Sequence, residues 1–136
     1  MAIDSGRLKH LEMIQQVITR MAGNSFLIKG WSVTLMSALL ALSFKEGSKD
    51  MAWIALLPWL MFWILDGFFL RQERLFRKLW DARRVEDQAK PTDFDMDTGS
   101  VAEQAGSWLS VIFSKTLLIF HGGLFVLLCV IIAVAR

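Results

Sequence analysis

Three long apolar runs, residues 26–44, 51–70 and 116–135, constrain this chain more than any other feature of its sequence. A helix on the surface of a soluble protein interleaves polar positions every three or four residues to keep one face wet. These runs do not. Within 26–44 the only charged residue is Lys29, within 51–70 only Pro58 and Asp66 interrupt, and within 116–135 the only ionisable side chain is His121, with Gly122 and Gly123 behind it. Roughly 18 to 20 such residues, at ~1.5 Å of rise each, cross a hydrocarbon core of ~30 Å. The expectation is an all-α integral membrane protein with three transmembrane helices, in which the polar residues 45–50 form a tight outer hairpin between the first two.

A hydrophobic content of 54% in 136 residues fits one membrane domain and exceeds what most soluble domains of that size carry. The net charge of +2 leaves no electrostatic footprint for nucleic acid, so no direct nucleic acid binding is expected. Cys129 is the one cysteine, which excludes an intramolecular disulfide and a cysteine-based metal site. The first 25 residues hold Asp4 and Glu12 without an uninterrupted apolar core, so they do not read as a cleaved secretory signal, and the first span directs insertion itself.

Orientation follows from the basic residues beside the spans. Arg7, Lys9 and Arg20 precede span one, while Arg71, Arg74, Arg77, Lys78, Arg83 and Arg84 follow span two. Both flanks are expected in the cytoplasm, with the C-terminus outside. Trp31, Trp53 and Trp108 fall near the predicted interfaces, where indoles concentrate, and Trp59 and Trp63 lie deeper as packing residues.

The cytoplasmic part reads as a layer of amphipathic helices. Leu8, Leu11, Ile14, Ile18 and Met21 recur at helical spacing over residues 1–24, and Gly23-Asn24 ends that pattern. After span two nothing breaks the helix until about residue 88: Leu75, Phe76, Leu79 and Trp80 continue an apolar stripe, and Glu73 and Arg77 stand four apart on the charged face. The two stripes are expected to pack on each other, with an interfacial arrangement on the headgroups as the alternative. His10 is expected at the surface. Residues 89–100 read as an acidic loop. Asp93, Asp95 and Asp97 invite a calcium reading, but the EF-hand pattern needs glycine and glutamate where Thr98 and Gln104 stand, which argues for a solvated turn instead. Ser100 and Glu103 have the spacing of a capping box opening an interfacial helix over 101–115.

Charge at membrane depth costs about 2.5 to 3.5 kcal/mol at a helix centre on insertion scales, so Lys29, Asp66 and His121 each need a reason. Asp66 lies five residues before Arg71, ~7 Å deep by helical rise. Lys29 enters span one from the same side, and an antiparallel hairpin brings the two to similar depth. An inner-leaflet ion pair, snorkelling by Lys29, and a gating or pore-lining carboxylate are the readings open here. His121 is read as a structural hydrogen-bonding group, with a titrating group as the alternative; a metal ligand has no support, for no Cys or carboxylate has ligand spacing to it. Gly30, Thr34, Ser37, Ala38 and Ala41 project to one side of span one, and small residues at that spacing let helices approach closely, within the chain or between copies. Pro58 frees a carbonyl near Ile54 and can kink span two.

No phosphate-binding glycine loop, nucleophile elbow or paired-carboxylate site stands out, so no enzyme and no cofactor are expected. Three spans also offer no inverted repeat for alternating access, and any conduction requires an oligomer.

The segment from Asn24 to Thr34, the stretch from Phe62 to Asp66, the run from Leu70 to Arg77, and Ser107-Trp108 through Ser114-Lys115-Thr116 resemble a family of uncharacterised small bacterial inner-membrane proteins. In layout these are similar to small helical membrane effectors, the SLATT class among them, encoded beside nucleotide-signalling or other antiphage systems. The resemblance implies a multi-pass protein of the bacterial inner membrane. It marks Lys29, Asp66 and the collar from Arg71 to Arg77 as positions of interest; the cytoplasmic collar as a whole is read as Arg71, Arg74, Arg77, Lys78, Leu75, Phe76 and Leu79. The function expected is that of an oligomeric, channel-like effector that alters membrane permeability on a cytoplasmic signal. Two alternatives stand beside it: a membrane anchor or scaffold that recruits a soluble cytoplasmic enzyme, and a small ion-coupled transporter subunit. The expected partners are the lipid bilayer, further copies of the chain and a soluble cytoplasmic protein.

Overall fold

A computed structural model describes residues 4–46, 53–86 and 90–134. Among them the chain is all helical, with no strand: α1 (Ser5–Glu46), α2 (Leu56–Arg84), a 3-10 segment (Gly99–Ala105), a short α3 (Trp108–Ile112) and α4 (Lys115–Val134). The outer hairpin beyond Glu46, the start of the second apolar run at Met51 and Ala52, residues 87–89, and the last two residues fall outside this description.

The helix expected to stop at Gly23-Asn24 does not stop. α1 runs unbroken for 42 residues, so the amphipathic segment and the first apolar run are one rod. The physical reason is the expense of an end. A glycine inside a helix costs about 1 kcal/mol relative to alanine, whereas ending and restarting the helix leaves several backbone carbonyls and N–H groups to be satisfied elsewhere. α2 begins just before Pro58, which sits in its first turn, where a residue without an N–H is tolerated. The helical path is interrupted at Ala55, just before Pro58, and the Trp59 N–H reaches the Ala55 carbonyl at 3.2 Å.

α1 and α2 pack antiparallel along their length. At the amino-terminal end of α1 the two apolar stripes bury each other: Ile14, Ile18 and Leu79 form one core with Val101, flanked by Phe76, Trp80 and Met96. At its other end Met36 meets Ala55 and Leu128 of α4, with Leu39, Leu40, Leu56, Trp59, Leu124 and Ile132 around them. α4 therefore runs parallel to α1, and α2 lies between them. Each fully buried aliphatic side chain of this kind contributes about 1.5 to 3 kcal/mol relative to leaving it in water.

The connection from α2 to α4 departs from a single interfacial helix. Ser100 and Glu103 make no capping-box hydrogen bonds among the described residues. The chain instead takes a 3-10 path that ends at Gly106, whose φ of 80° is open to glycine and strained for other residues. Ser107 then caps α3, its Oγ accepting the Ser110 N–H at 3.2 Å. α3 lies so close to α2 that a Cβ on Gly67 would stand 2.5 Å from Ile112 Cγ1.

The acidic loop is a built structure. The carboxylates of Asp93, Asp95 and Asp97 each accept the backbone N–H two residues on, at 3.1, 2.9 and 3.0 Å. The first of these bonds holds the Asp93 carboxyl below the usual carboxylate range, with Arg83 adding to the effect. Its stabilising contribution is present above the ordinary carboxylate pKa and is lost as pH falls through the lower, folded value. The loop folds back on both long helices. Arg83 pairs with Asp95 at 3.1 Å, and Arg7 Nη2 donates to the carbonyls of Arg83, at 2.8 Å, and Glu86. His10, expected at the surface, is buried: its Nε2 donates to the Asp95 carbonyl at 2.9 Å and its ring stands 5.7 Å from that of Phe94.

Two glycines separate these features experimentally. Gly67→Ala is expected to destabilise the protein by about 1 to 3 kcal/mol, the range for overpacking, and Ile112→Ala to restore part of the loss. Gly23→Ala, with nothing within 4 Å of its new methyl group, is expected to raise stability by up to about 1 kcal/mol through helix propensity. Thermal unfolding in detergent reads both; destabilisation by Gly23→Ala would contradict a continuous α1.

Candidate functional site

Between the two apolar cores lies a polar layer to which three helices contribute. α2 places Asp66 there with no exposed surface, one residue before the Gly67 contact that fixes α2 against α3. α1 contributes Ser25 and Lys29, four apart and therefore on one face. α4 contributes His121, also fully buried.

These groups converge on the Asp66 carboxylate. Lys29 Nζ stands 2.8 Å from Oδ1 and 2.6 Å from Oδ2. Ser25 Oγ donates to Oδ1 at 2.5 Å and accepts from Lys29 Nζ at 2.8 Å. His121 Nε2 donates to Oδ2 at 2.9 Å. A carboxylate only accepts, so Nε2 carries the hydrogen. One anion thus receives three donors, one of them cationic, and its neighbours on α1 and α4 are tied to α2 through it. Lys29 also lies 5.8 Å from the ring centroid of Phe120 and keeps part of its side chain, 21%, exposed. Asp66 and His121 have no such outlet.

Tryptophans form a second tie. Trp59 Nε1 donates to the His121 carbonyl at 2.9 Å, and Trp63 Nε1 donates to the Ile112 carbonyl at 3.1 Å. The Trp63 ring stacks on His121 with centroids 6.3 Å apart, and Trp59 packs on Trp63 and Phe125. The donors of both indoles are therefore satisfied by backbone, on top of the packing expected of them. Two polar atoms in this layer lack a partner among the described residues: His121 Nδ1 and Ser32 Oγ, the latter one helical turn beyond Lys29 on α1.

The structure thus brings together the three ionisable residues singled out in the apolar runs of the sequence, Lys29, Asp66 and His121, and adds Ser25, which composition alone did not mark. The i, i+4 relation of Ser25 to Lys29 was the available signal. The small-residue face fares differently. Gly30, Thr34, Ser37, Ala38 and Ala41 are all exposed, and α1 turns Ser25, Ile28, Ser32 and Met36 toward its neighbours. Within the collar, Leu75 and Leu79 are buried and Phe76 packs on the amino-terminal core. Arg71 Nε donates to the Gly106 carbonyl at 3.3 Å and Arg77 pairs with Glu73 at 2.8 Å. Arg74 and Lys78 make no ion pair among the described residues. No group of His, Cys, Asp and Glu side chains able to hold a metal ion occurs among those residues either.

Comparison with protein-family models, with curated proteins and with solved structures finds no match to this chain.

Removing one partner from a buried ion pair costs about 3 to 5 kcal/mol, whereas replacing both with apolar groups is often neutral. Asp66→Leu is therefore expected to lower thermal stability in detergent strongly, and Asp66→Leu combined with Lys29→Met to recover most of it. Equal stability of Asp66→Leu and the parent would mean that the carboxylate does not hold the helices together.

Proposed function

We propose that this chain is a three-span membrane protein that acts as an oligomeric, channel-like effector, and that the fold described is its closed state. α1 and α4 are long and apolar enough to cross a bilayer, and only 17% of the most apolar stretch of each is buried. The core helix of a soluble protein would be mostly buried. α2 falls short of that test, interrupted by Asp66 and charged from Arg71 onward, yet Leu57, Leu60, Met61, Ile64, Leu65 and Phe68 are exposed along it. Apolar surface continuing around three adjacent helices is large for a water-soluble monomer and suits lipid. The basic residues at the Arg7 and Arg71–Arg84 ends of the bundle support a topology with those ends in the cytoplasm of a bacterial inner membrane and the C-terminus outside.

One observation carries the functional reading: the interior changes character abruptly along the helix axes. The polar layer of Ser25, Lys29, Asp66, His121 and Ser32 is followed outward, about two turns on from Lys29 and His121 and about three from Asp66, by the dry cluster of Met36, Ala55 and Leu128. A polar layer held between an inner apolar core and an outer apolar plug has the elements of a hydrophobic gate, which blocks ions by excluding water. A plain anchor has no need of buried charge, since apolar packing serves as well or better. The exposed small-residue face of α1 is suited to close contact with another copy, which a conducting path requires.

The test is ion flux from liposomes holding purified protein, with native mass spectrometry on the same sample. Met36→Ser or Leu128→Ser, which wet the plug, are expected to raise leak at least tenfold over the parent, and Asp66→Asn to change it. Tight vesicles for all of these, with correctly inserted monomer, would discard the channel-like reading and leave the anchor, whose mark is a soluble protein that copurifies until Leu75, Phe76 and Leu79 are made polar.

A further inference from the structure

The cytoplasmic end of the bundle contains a cavity of 330 Å³ where the start of α1, the end of α2 and the acidic loop meet; Arg7, His10, Arg83, Lys90, Glu86 and Asp93 supply its ionisable lining. This volume is that of a small-molecule site. Three basic side chains, Arg7, Arg83 and Lys90, line the cavity beside two carboxylates that are already engaged: Glu86 with Arg83 at 3.3 Å, and Asp93 with the Asp95 N–H at 3.1 Å. The cations retain unused capacity. Lys90 forms no ion pair among the described residues, and the Arg7 guanidinium is held by the backbone carbonyls of Arg83 and Glu86 and by no carboxylate. An oxygen-rich anion in the cavity therefore meets cationic charge that no carboxylate neutralises.

We infer that this cavity binds a small phosphate-bearing solute from the cytoplasm, and that this solute is the signal to which the membrane part responds. The inference on signalling rests on the channel-like reading above; the binding itself does not. Phosphoryl groups offer several acceptor oxygens to a diverging set of guanidinium and ammonium donors, which a single carboxylate cannot match. A lipid headgroup is the wrong source. Arg7 precedes Phe26 by 19 residues of unbroken helix, ~28 Å of rise, while headgroups extend only about 5 to 8 Å beyond the hydrocarbon. Position gives the site its leverage, because its walls are the amino-terminal end of α1 and the carboxyl-terminal end of α2, the two helices that Lys29 and Asp66 clasp further along. An anion drawn between Arg7, Arg83 and Lys90 alters how those ends sit against each other.

Calorimetric titration of the full-length protein in zwitterionic nanodiscs with inorganic pyrophosphate, and separately with ATP, tests this directly. Saturable binding is expected, weakened at least tenfold by Lys90→Glu and by raised salt, and unchanged by Arg20→Glu, which makes the same charge change away from the cavity. Circular dichroism confirms that both variants keep their helix content. Absence of saturable binding up to millimolar concentration, or equal weakening by Arg20→Glu, overturns the site. Binding with vesicles that stay tight retains the site and removes the channel-like reading; flux without binding does the reverse.

Discussion

The arrangement of the helices depends on one carboxylate. Asp66 has no surface in contact with solvent, and its oxygens are occupied by a lysine and a serine from α1 and a histidine from α4. Apolar packing tolerates a helix sliding or rotating by a residue, since one leucine substitutes for another. A buried anion does not, because displacement of any donor leaves a charge unmatched in a medium that cannot solvate it. The clasp therefore fixes rotation and depth for α1 and α4 relative to α2 together. Gly67 and the indole of Trp63 extend the same arrangement to α3, which has too few residues to hold its own position, and the indole of Trp59 adds a second tie to α4.

The interior is stratified around this clasp. On one side the amino-terminal half of α1 and the carboxyl-terminal half of α2 enclose an ordinary apolar core, closed by Val101 and Met96. On the other side Met36, Ala55 and Leu128 meet without a polar atom among their side chains. The exposed surface is arranged inversely. It is apolar around the clasp and the dry cluster and charged around the amino-terminal core, so the middle of the molecule is polar inside and apolar outside. Such inversion is stable where the surroundings are hydrocarbon, which is the ground for reading these helices as spans.

How far the sequence spoke depended on the kind of signal. Uninterrupted runs identified α1 and α4 because length and apolarity are properties of the chain itself. The pairing of Ile14 and Ile18 with Leu79 was accessible because 3.6-residue periodicity states which side of each helix must be covered. Lys29 and Asp66 could be brought to one depth by counting residues from the basic flanks. His121 could have been counted in the same way, six residues after Lys115, but depth carries no information on azimuth, and so its bond to Asp66 remained hidden. The expected break at Gly23-Asn24 weighed local propensity over continuity. Ser100 and Glu103 had the spacing of a cap, while the Gly106-Ser107 pair that ends the 3-10 segment and opens α3 was the stronger punctuation. His10 lacked any local mark of burial, because the loop that covers it lies about 85 positions away along the chain.

The continuity of α1 has a mechanical consequence. From Ser25, where the clasp holds it, to Ser5 at its start, the rod has no hinge; that is about 20 residues or ~30 Å of lever arm. A tilt of ~10° about the clasp carries the amino-terminal end through ~5 Å, comparable to the rise of one helical turn. A contact that shifts the amino-terminal end by the width of a side chain is therefore geared down to a rotation of a few degrees at Lys29. Large displacements at that end become small, forceful ones at the buried carboxylate, and a movement inside the bundle is magnified on its way back to the start of α1.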